Sequence, residues 1–574
     1  MSTVSGGVLL ARALQAAGAT EVFTLHGGHL DAFLAACPDH SLRVTDTRHE
    51  STAGHAAEAY ARLTGRPGVC VTTSGPGYTN TITAMANAML DAVPVLFIVG
   101  APPLREQERN VLQGGIDQLA GATTVTKWAH RVTNAERIPE LVALALRHAT
   151  MGKPGPVLLE IPIDVMFRPV PESWVRMPAF PTDIPRPAPT STEVTNAIDV
   201  LATANRPVIA VGGGAMLSRC SAELIEFAEL LSIPVFATNK GDGLVPASHP
   251  MWGGGITALH TIGLFAGAAP DVIVLLGCRQ GMFTGGRGDP LAGVTIIQVD
   301  ADAAEIGRIH DVAAPVVADC REALTALTAE ARSREIVPVF SEWAETVTGQ
   351  RGFAQGLIGD DPTTSTGRMH PGFAAKEIMT ALPTDAIVVM DGGECAAWAD
   401  LFVAPERPDS VLRIGYLGTL GVGQGFAIGA SRAFPDRPVV LITGDGAVAF
   451  HIAEFDTMAR HGMPIVTVVF NNLVWGMSIH GQEAVFGPSG IIASRLADSA
   501  YEHVAIAFGG AGERIEELHA LAGAMKRALD AGVPYCINAA TDPDVVHPVT
   551  TMMLGDLTAT DAVVVPYYEN IPVV

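Results

Sequence analysis

The sequence predicts an α/β fold of three doubly wound, parallel-sheet domains, and three observations carry that expectation. Short apolar runs such as VPVLFIVG from Val93 and PVVLITG from Pro438 stop at Gly or Pro, as strands buried on both faces of a parallel sheet do. Between them lie segments with apolar residues at helical spacing, and strands alternating with helices mean βαβ units. The chain has 574 residues, too many for one core when domains run to roughly 100–200 residues each. With 48% hydrophobic and 17% charged residues, it has ample apolar material for buried sheets and is neither disordered nor fibrous.

In the first segment Leu10, Ala13, Leu14 and Ala17 fit one helix face, and EVFTLHGG from Glu21 reads as a strand ending in a glycine turn. A helix through HESTAGHAAEAYARLTG from His49 follows, then a strand at GVCVTTSGPG from Gly68 and a helix from Asn80 to Leu90. The strand at Val93 and another in GPVLLEIPIDV from Gly155 complete the segment. The proline-rich stretch between Arg168 and Pro189 reads as an extended linker. The second segment has strands at PVIAVGGG (from Pro207), IPVFATN (Ile233), DVIVLLGC (Asp271) and VTIIQVDAD (Val294), then charged helical sequence and a polar stretch ending at Gly367. The third segment starts near His370 with strands AIVVMDGG, PVVLITGDG, IVTVVFNN and YCINAA. The expected domains are 1–184, 190–345 and 368–555, with a tail over 556–574.

Asp and Glu number 59 against 36 Lys and Arg, a formal charge of −23. That acidity argues against a nucleic-acid binder, which needs a basic footprint. The start, MSTVSGGVLLARALQ, has no basic segment ahead of an apolar one, and no run of about 18 apolar residues occurs, so neither a signal peptide nor a membrane span is expected. The seven cysteines are scattered, odd in number and without paired spacing. A disulfide framework or zinc site is not expected, and a reducing cytoplasm is.

The strongest chemical signal is in the third segment. LITGDGAVAF places Gly444, Asp445 and Gly446 at the carboxyl end of an apolar strand; after a helix, the strand IVTVVF ends at Asn471 and Asn472. One helix plus one strand brings Asp445 and Asn472 to the same edge of a parallel sheet, where doubly wound folds bind ligands. A carboxylate, an amide oxygen and a backbone carbonyl are hard ligands suited to Mg²⁺ on a diphosphate, and the helix after GDG offers free N–H groups to phosphate.

By GDG with its distant NN, the chain resembles the thiamine-diphosphate-dependent enzymes over essentially its whole length. The resemblance implies a pyrimidine-binding, a middle and a diphosphate-binding domain. It implies Mg²⁺ held by Asp445, Asn472 and the carbonyl of Val474, with the backbone of Gly446 and Ala447 facing the diphosphate. In TRHESTAGHAAEAYAR it matches Glu50 to the acid that hydrogen-bonds the cofactor's pyrimidine and sets the tautomer that activates it. In the glycine-rich GYLGTLGVGQG (residues 415–425) it matches Leu420 to the residue that props the cofactor into a V shape, with Gly418 and Gly393 also at the cofactor. Since acid and diphosphate site come from different domains, the family builds sites across a subunit interface. The resemblance therefore implies a homo-oligomer, a tetramer as a dimer of dimers.

Within the family, LHGGHLDAF (from Leu25), DTRHESTAGHAAEAYAR (Asp46), LQGGIDQ (Leu112), TKWAHRV (Thr126) and AEFDTM (Ala453) resemble benzaldehyde lyase. This implies a carbon–carbon lyase and carboligase acting on 2-hydroxy ketones and aldehydes. His29 and Gln113 would sit beside Glu50, His29 handling the substrate hydroxyl proton and Gln113 holding that oxygen or a water. Ile163, Ala396 and Gly481 stand where benzaldehyde lyase has bulky aromatics, and Met477 where it has a small residue, so the pocket's shape differs. Glu394 and Glu483 are further acids near the pocket, Glu483 matching a region used for proton transfer in 2-hydroxyacyl-CoA lyases. Two alternatives stay open: a 2-hydroxyacyl-CoA lyase, although no clear basic cluster for CoA phosphates is visible in the sequence, and an acetolactate synthase, with LGCRQGMFTGGRG from Leu276 as a candidate nucleotide stretch. A pyruvate decarboxylase is disfavoured by the absence of its adjacent His-His pair, and a dead regulatory subunit by the presence of both Glu50 and Asp445. The apolar, aromatic end VVVPYYENIPVV suggests a cover over the site entrance.

Overall fold

The computed structural model describes residues 2–180, 185–265, 267, 269–281, 284, 291–334, 340–350, 352–356, 358–558, 560–565, 567, 568 and 570–573. Part of the proline-rich linker (181–184), most of the stretch after Arg279 (282, 283 and 285–290) and positions 559, 566, 569 and 574 of the tail lie outside the described residues. The chain forms three six-stranded sheets, parallel throughout.

In space the N-terminal sheet runs Arg43–Asp46, Glu21–Thr24, Gly68–Thr72, Val95–Ala101, Val157–Pro162, Trp128–Arg131. The C-terminal sheet repeats this topology: Val411–Arg413, Ile387–Met390, Val439–Gly444, Val466–Asn471, Tyr535–Ala540, Ala511–Ile515. The middle sheet is ordered Trp252–Gly255, Val235–Ala237, Pro207–Val211, Val272–Leu276, Thr295–Asp300, Ala314–Val317. Every sheet reverses its winding beside its first strand, and the crevice outside the strand ends at that point is where such folds take ligands.

Three local readings differ from expectation. The helix expected from Asn80 starts earlier, as Pro76–Leu90, because proline's fixed φ suits a first helical turn. The linker is partly structured: Pro169–Pro171 pairs antiparallel with Thr3–Ser5. The helix after GDG is broken into short pieces, Asp445–Val448, Ala449–His451 and Glu454–Arg460. All seven cysteines are free. Among the described residues no helix is long and apolar enough to cross a membrane.

The most extensive contact between the outer domains is one helix pair. Helix Glu50–Thr64 is buried along nearly its whole length and lies on helix Val422–Ala433. Glycines set the separation. A Cβ added at Gly429 would stand 2.3 Å from the Ala56 carbonyl oxygen, and one at Gly425 would stand 2.7 Å from the Cβ of His55. Polar clamps flank the pair: the Arg48 N–H donates to both carboxylate oxygens of Glu454 at 3.1 Å, and Arg62 Nη1 donates to the Arg413 carbonyl at 3.1 Å. The helix beginning at Glu50 is thereby fixed from both sides.

Substituting Gly429→Val pushes a branched side chain into backbone that cannot retreat, an overpacking that costs about 1–3 kcal/mol. Thermal melting of the purified variant is expected to show a clear drop in Tm. Gly352→Ala, which meets nothing within 4 Å, is the neutral control. Identical melting curves for Gly429→Val and wild type would refute the close approach.

Candidate active site

At the C-terminal sheet the crevice lies between Ile387–Met390 and Val439–Gly444. The loops leaving these strands touch: a Cβ added at Gly392 (φ 112°) would stand 3.4 Å from the Gly444 N and 2.5 Å from Cys395 Sγ. Asp445, next after Gly444, is buried. Its Oδ1 accepts the Gly446 N–H at 2.8 Å and its Oδ2 the Leu473 N–H at 2.7 Å. Leu473 has a left-handed backbone, φ 66°, which turns the chain between Asn472 and Val474; the Asn472 amide oxygen accepts the Val474 N–H at 3.3 Å. Asn471 faces elsewhere, its Nδ2 donating to Asp498 Oδ1 and the Ser499 carbonyl, each at 3.2 Å. The buried Ala447 follows Gly446, whose position allows the Trp475 ring to close in; an added Cβ would meet that ring at 2.5 Å.

This arrangement fits a divalent cation on a diphosphate. Burial pushes the Asp445 carboxyl up to about 6 against the pull of its two backbone donors, and a cation in contact would restore the charged form. Among the described residues no three His, Cys, Asp or Glu side chains gather for a metal, so the candidate donors are one carboxylate, the Asn472 amide oxygen and the Val474 carbonyl, all oxygens of the hard kind Mg²⁺ takes.

Asp391, at the end of strand Ile387–Met390, escaped the sequence reading. It is fully buried and accepts the Gly421 N–H at 3.2 Å and the Gly423 N–H at 2.8 Å. These contacts hold the glycine-rich loop and the start of helix Val422–Ala433. Gly418 (φ 65°) and Gly421 (φ 85°) bracket the half-buried Leu420. The only sequence clue to Asp391 was an acid ending an apolar strand.

Helix Gly476–Phe486 overhangs the crevice: a Cβ at Gly393 would lie 2.9 Å from the Met477 Sδ. Gly481 is one turn further along the same face. Ala396 and Ile163 are half-buried. Glu394, buried, faces His480 Nδ1 at 2.9 Å and accepts the Thr550 hydroxyl at 2.6 Å. His480, also missed, places its Nε2 2.9 Å from the Pro543 carbonyl. Burial opposes its charge, but the hydrogen bond and charge of Glu394 prevail and hold its pKa above the usual 6.5. Glu483 is solvent-exposed on the same helix.

The N-terminal sheet's crevice gathers the other predicted residues. His29 follows the turn after Glu21–Thr24 and is half-buried, its Nδ1 3.0 Å from Thr73 Oγ1. Gly100 permits this seat, since a Cβ there would stand 2.7 Å from that of His29. Burial lowers the His29 pKa below the usual 6.5, so the ring is neutral near pH 7. Gln113, with φ 59°, lies against Gly75 (added Cβ 3.0 Å from its own), and its carbonyl accepts the Ser74 hydroxyl at 2.8 Å. Gln118 Oε1 accepts the Gly75 N–H at 2.9 Å and steadies that loop. Glu50 begins its helix beyond Arg43–Asp46, buried, and accepts from Asn80 Nδ2 at 2.9 Å.

The predicted residues thus form two clusters. The hydrogen bonds of His29, Glu50 and Gln113 stay within the N-terminal domain, and those of Asp445, Asn472 and Glu394 within the C-terminal one. A separate cleft at the middle sheet's strand ends is lined by Gly212, Gly277, Lys153, Arg186, Lys240 and Arg279. Lys240 binds Asp91 Oδ1 at 2.9 Å, and Arg279 covers the Tyr416 ring at 4.3 Å, so all three domains meet there.

Three family models match in order: the thiamine pyrophosphate enzyme N-terminal TPP binding domain over residues 4–120, the central domain over 194–327, and the C-terminal TPP binding domain over 391–539. The chain is 33% identical over 549 residues to an acetolactate synthase large subunit of Mycobacterium tuberculosis, covering 95% of this chain and 97% of that one. It is 30% identical over 569 residues to a probable acetolactate synthase large subunit of Methanococcus aeolicus (94% and 92% covered). It is also 30% identical over 573 residues to 2-hydroxyacyl-CoA lyase 2 of Caenorhabditis elegans (92% and 87% covered). With its three parallel sheets and these matches along its length, the chain belongs to the thiamine pyrophosphate enzyme family.

Proposed function

We propose that this protein is a thiamine-diphosphate- and Mg²⁺-dependent carbon–carbon lyase and carboligase that cleaves or forms 2-hydroxy ketones from aldehydes, as benzaldehyde lyase does. The observation that carries the reading is the neutral, half-buried His29 on the crevice loop, with Gln113 on the neighbouring loop and Glu50 on the same sheet edge. When bound, thiamine diphosphate supplies a nucleophilic carbon that adds to a carbonyl and carries the acyl group. Asp445, Asn472 and the Val474 carbonyl hold the Mg²⁺; Gly446 and Ala447 present backbone to the diphosphate. Gly393, Gly418 and Leu420 bound the cofactor's rings, and Glu50 holds its pyrimidine. His29 takes the proton from the substrate hydroxyl, and Gln113 holds that oxygen. A neutral imidazole and an amide move and orient a proton without adding charge beside the reacting carbon.

The reading places the two clusters against each other across a homodimer interface, paired into a tetramer. Exposed apolar side chains beside each cluster support this. Leu112 and Ile116, 88% and 52% exposed, flank Gln113, and Phe450, 58% exposed, lies against Gly421.

The middle cleft favours a second reading, a 2-hydroxyacyl-CoA lyase. The fold gathers Lys153, Arg186, Lys240 and Arg279 from separate stretches of sequence around glycine turns, with Lys153, Arg186 and Lys240 paired to Glu305, Asp319 and Asp91; the glycine turns and Arg279 suit a CoA nucleotide, and one curated relative bears that activity in its name. Assaying the holoenzyme side by side on benzoin, acetoin, pyruvate and a 2-hydroxyacyl-CoA separates the readings. Turnover of acyloins without CoA is expected; formyl-CoA release alone would establish the second reading, and acetolactate from pyruvate would move the protein to the synthases.

Glu50→Gln is expected to remove most turnover, about 10²-fold or more, with the melting temperature kept; activity within a few-fold of wild type would rule out the pyrimidine role. For His29 the pH profile is diagnostic. Its lowered pKa keeps the ring a competent base down past pH 6.5, so kcat/KM holds its plateau there and falls only as pH drops through the lowered value. His29→Ala should cut the rate by about 10²-fold and erase that acid limb. An unchanged limb moves the relay to another acid, Glu483 or Glu394.

A further inference from the structure

The C-terminal tail folds into a small antiparallel hairpin, Ala562–Val563 against Ile571–Pro572. The Val573 N–H donates to the Asp561 carbonyl at 2.7 Å, and across the tip the Tyr568 N–H donates to the Val565 carbonyl at 3.2 Å. Tyr567 occupies that tip with a left-handed backbone, φ 68°, a conformation that costs a bulky residue on the order of 1 kcal/mol or more. Its side chain leaves the hairpin and lands on helix Gly476–Phe486. The hydroxyl donates to the Met477 carbonyl, and the ring rests over Gly481. A Cβ added at Gly481 would stand 3.0 Å from the Tyr567 Oη, 3.3 Å from Cε2 and 3.4 Å from Cζ.

A glycine inside a helix costs about 0.5–1 kcal/mol relative to alanine. Here its missing side chain is the room the tyrosine ring fills. Tyr568 and Ile571 point outward, 73% and 58% exposed, while Val564 and Val565 are half-buried. Tyr567 is the tail side chain that docks on helix Gly476–Phe486. The seat is not on an arbitrary face, since Met477 is the residue that covers Gly393 at the mouth of the crevice. Burial and the nearby Glu394 charge push the tyrosine hydroxyl up to about 12, so it remains a donor at any working pH.

We propose that Tyr567 is a specificity-determining wall of the substrate pocket: the tail supplies, over Gly481, the aromatic surface that this turn of the helix lacks, and that ring stacks on the aryl group of an acyloin. This rests on the carboligase reading above and names the part of the substrate that the C-terminal half recognises.

The test uses the full-length holoenzyme in four forms: wild type, Tyr567→Ala, Gly481→Phe and the double variant. Two readouts are taken, the ratio of kcat/KM for benzoin over acetoin and the rate of limited proteolysis at the tail in the cofactor-free protein. Stacking of aromatic pairs corresponds to roughly a three- to ten-fold effect. Tyr567→Ala should lower the ratio by that factor, mainly through KM for benzoin, and should speed tail cleavage. Gly481→Phe should also speed cleavage, because its ring takes the tyrosine's place. In the double variant that helix-borne ring should bring the ratio back to within two-fold of wild type. A ratio unchanged in Tyr567→Ala, or a double variant no better than the single, overturns the proposal. If wild type turns over neither acyloin, the carboligase reading fails. The tyrosine's seat is then judged by cleavage alone, and equal rates in wild type and Tyr567→Ala overturn it.

Discussion

The contact on which the architecture depends is the glycine-mediated meeting of helices Glu50–Thr64 and Val422–Ala433. Two sheets of identical topology could be docked in many ways. Gly425 and Gly429 let backbone approach backbone at distances no side chain would permit, and close-packed interiors do not deform continuously to offer alternatives. The same helices carry candidate site groups at their N-termini: Glu50 begins one, and the glycine-rich loop held by Asp391 begins the other. Packing that fixes the helix axes thus fixes Glu50 and the loop, and the Arg48–Glu454 clamp two residues ahead of Glu50 holds that helix end.

Which strands could be read from sequence follows from where they sit. The twelve interior strands, four in each sheet, are the apolar runs that stand out along the chain; all six edge strands escaped notice. An interior strand is covered on both faces and by neighbours on both sides, so selection for burial writes a continuous hydrophobic run. An edge strand such as Arg43–Asp46 or Ala511–Ile515 is partly exposed and carries charge (Arg43, Asp46, Glu513, Arg514), which also guards it against pairing with another chain. Charged, short segments look like loops until a neighbour shows otherwise.

The site was legible where a residue's role lies in a motif and illegible where it depends on a distant contact. GDG and NN placed Asp445 and Asn472 at one sheet edge, where the fold also has them, but only the fold separates the two asparagines: Asn471 turns to Asp498 and Ser499, while Asn472 stays on the strained turn with Leu473. Asp391 and His480 act on groups tens of residues away, and nothing local marks them. The charged cleft of the middle domain is the same case. Lys153, Arg186, Lys240 and Arg279 are scattered along the chain, and only folding collects them. The tail's tyrosine belongs with these, since its partner is the absence of a side chain at Gly481.

Three buried carboxylates crowd the C-terminal sheet edge, and their partners tell them apart. A desolvated carboxylate needs compensation from dipoles, a proton or a cation. Asp391 has the N-terminal N–H groups and dipole of a 12-residue helix. Glu394 has the imidazole of His480 and the Thr550 hydroxyl. Asp445 begins a helix of only four residues and receives two backbone N–H bonds, which leave burial dominant and its carboxyl near 6. Burial outweighs the N–H donors at Asp391 as well, whose carboxyl also rises to about 6, so what sets Asp445 apart is its place beside Asn472 and the turn to Val474. The neighbouring oxygen donors, rather than an unusual carboxyl, therefore mark Asp445 as the carboxylate placed to share a divalent ion.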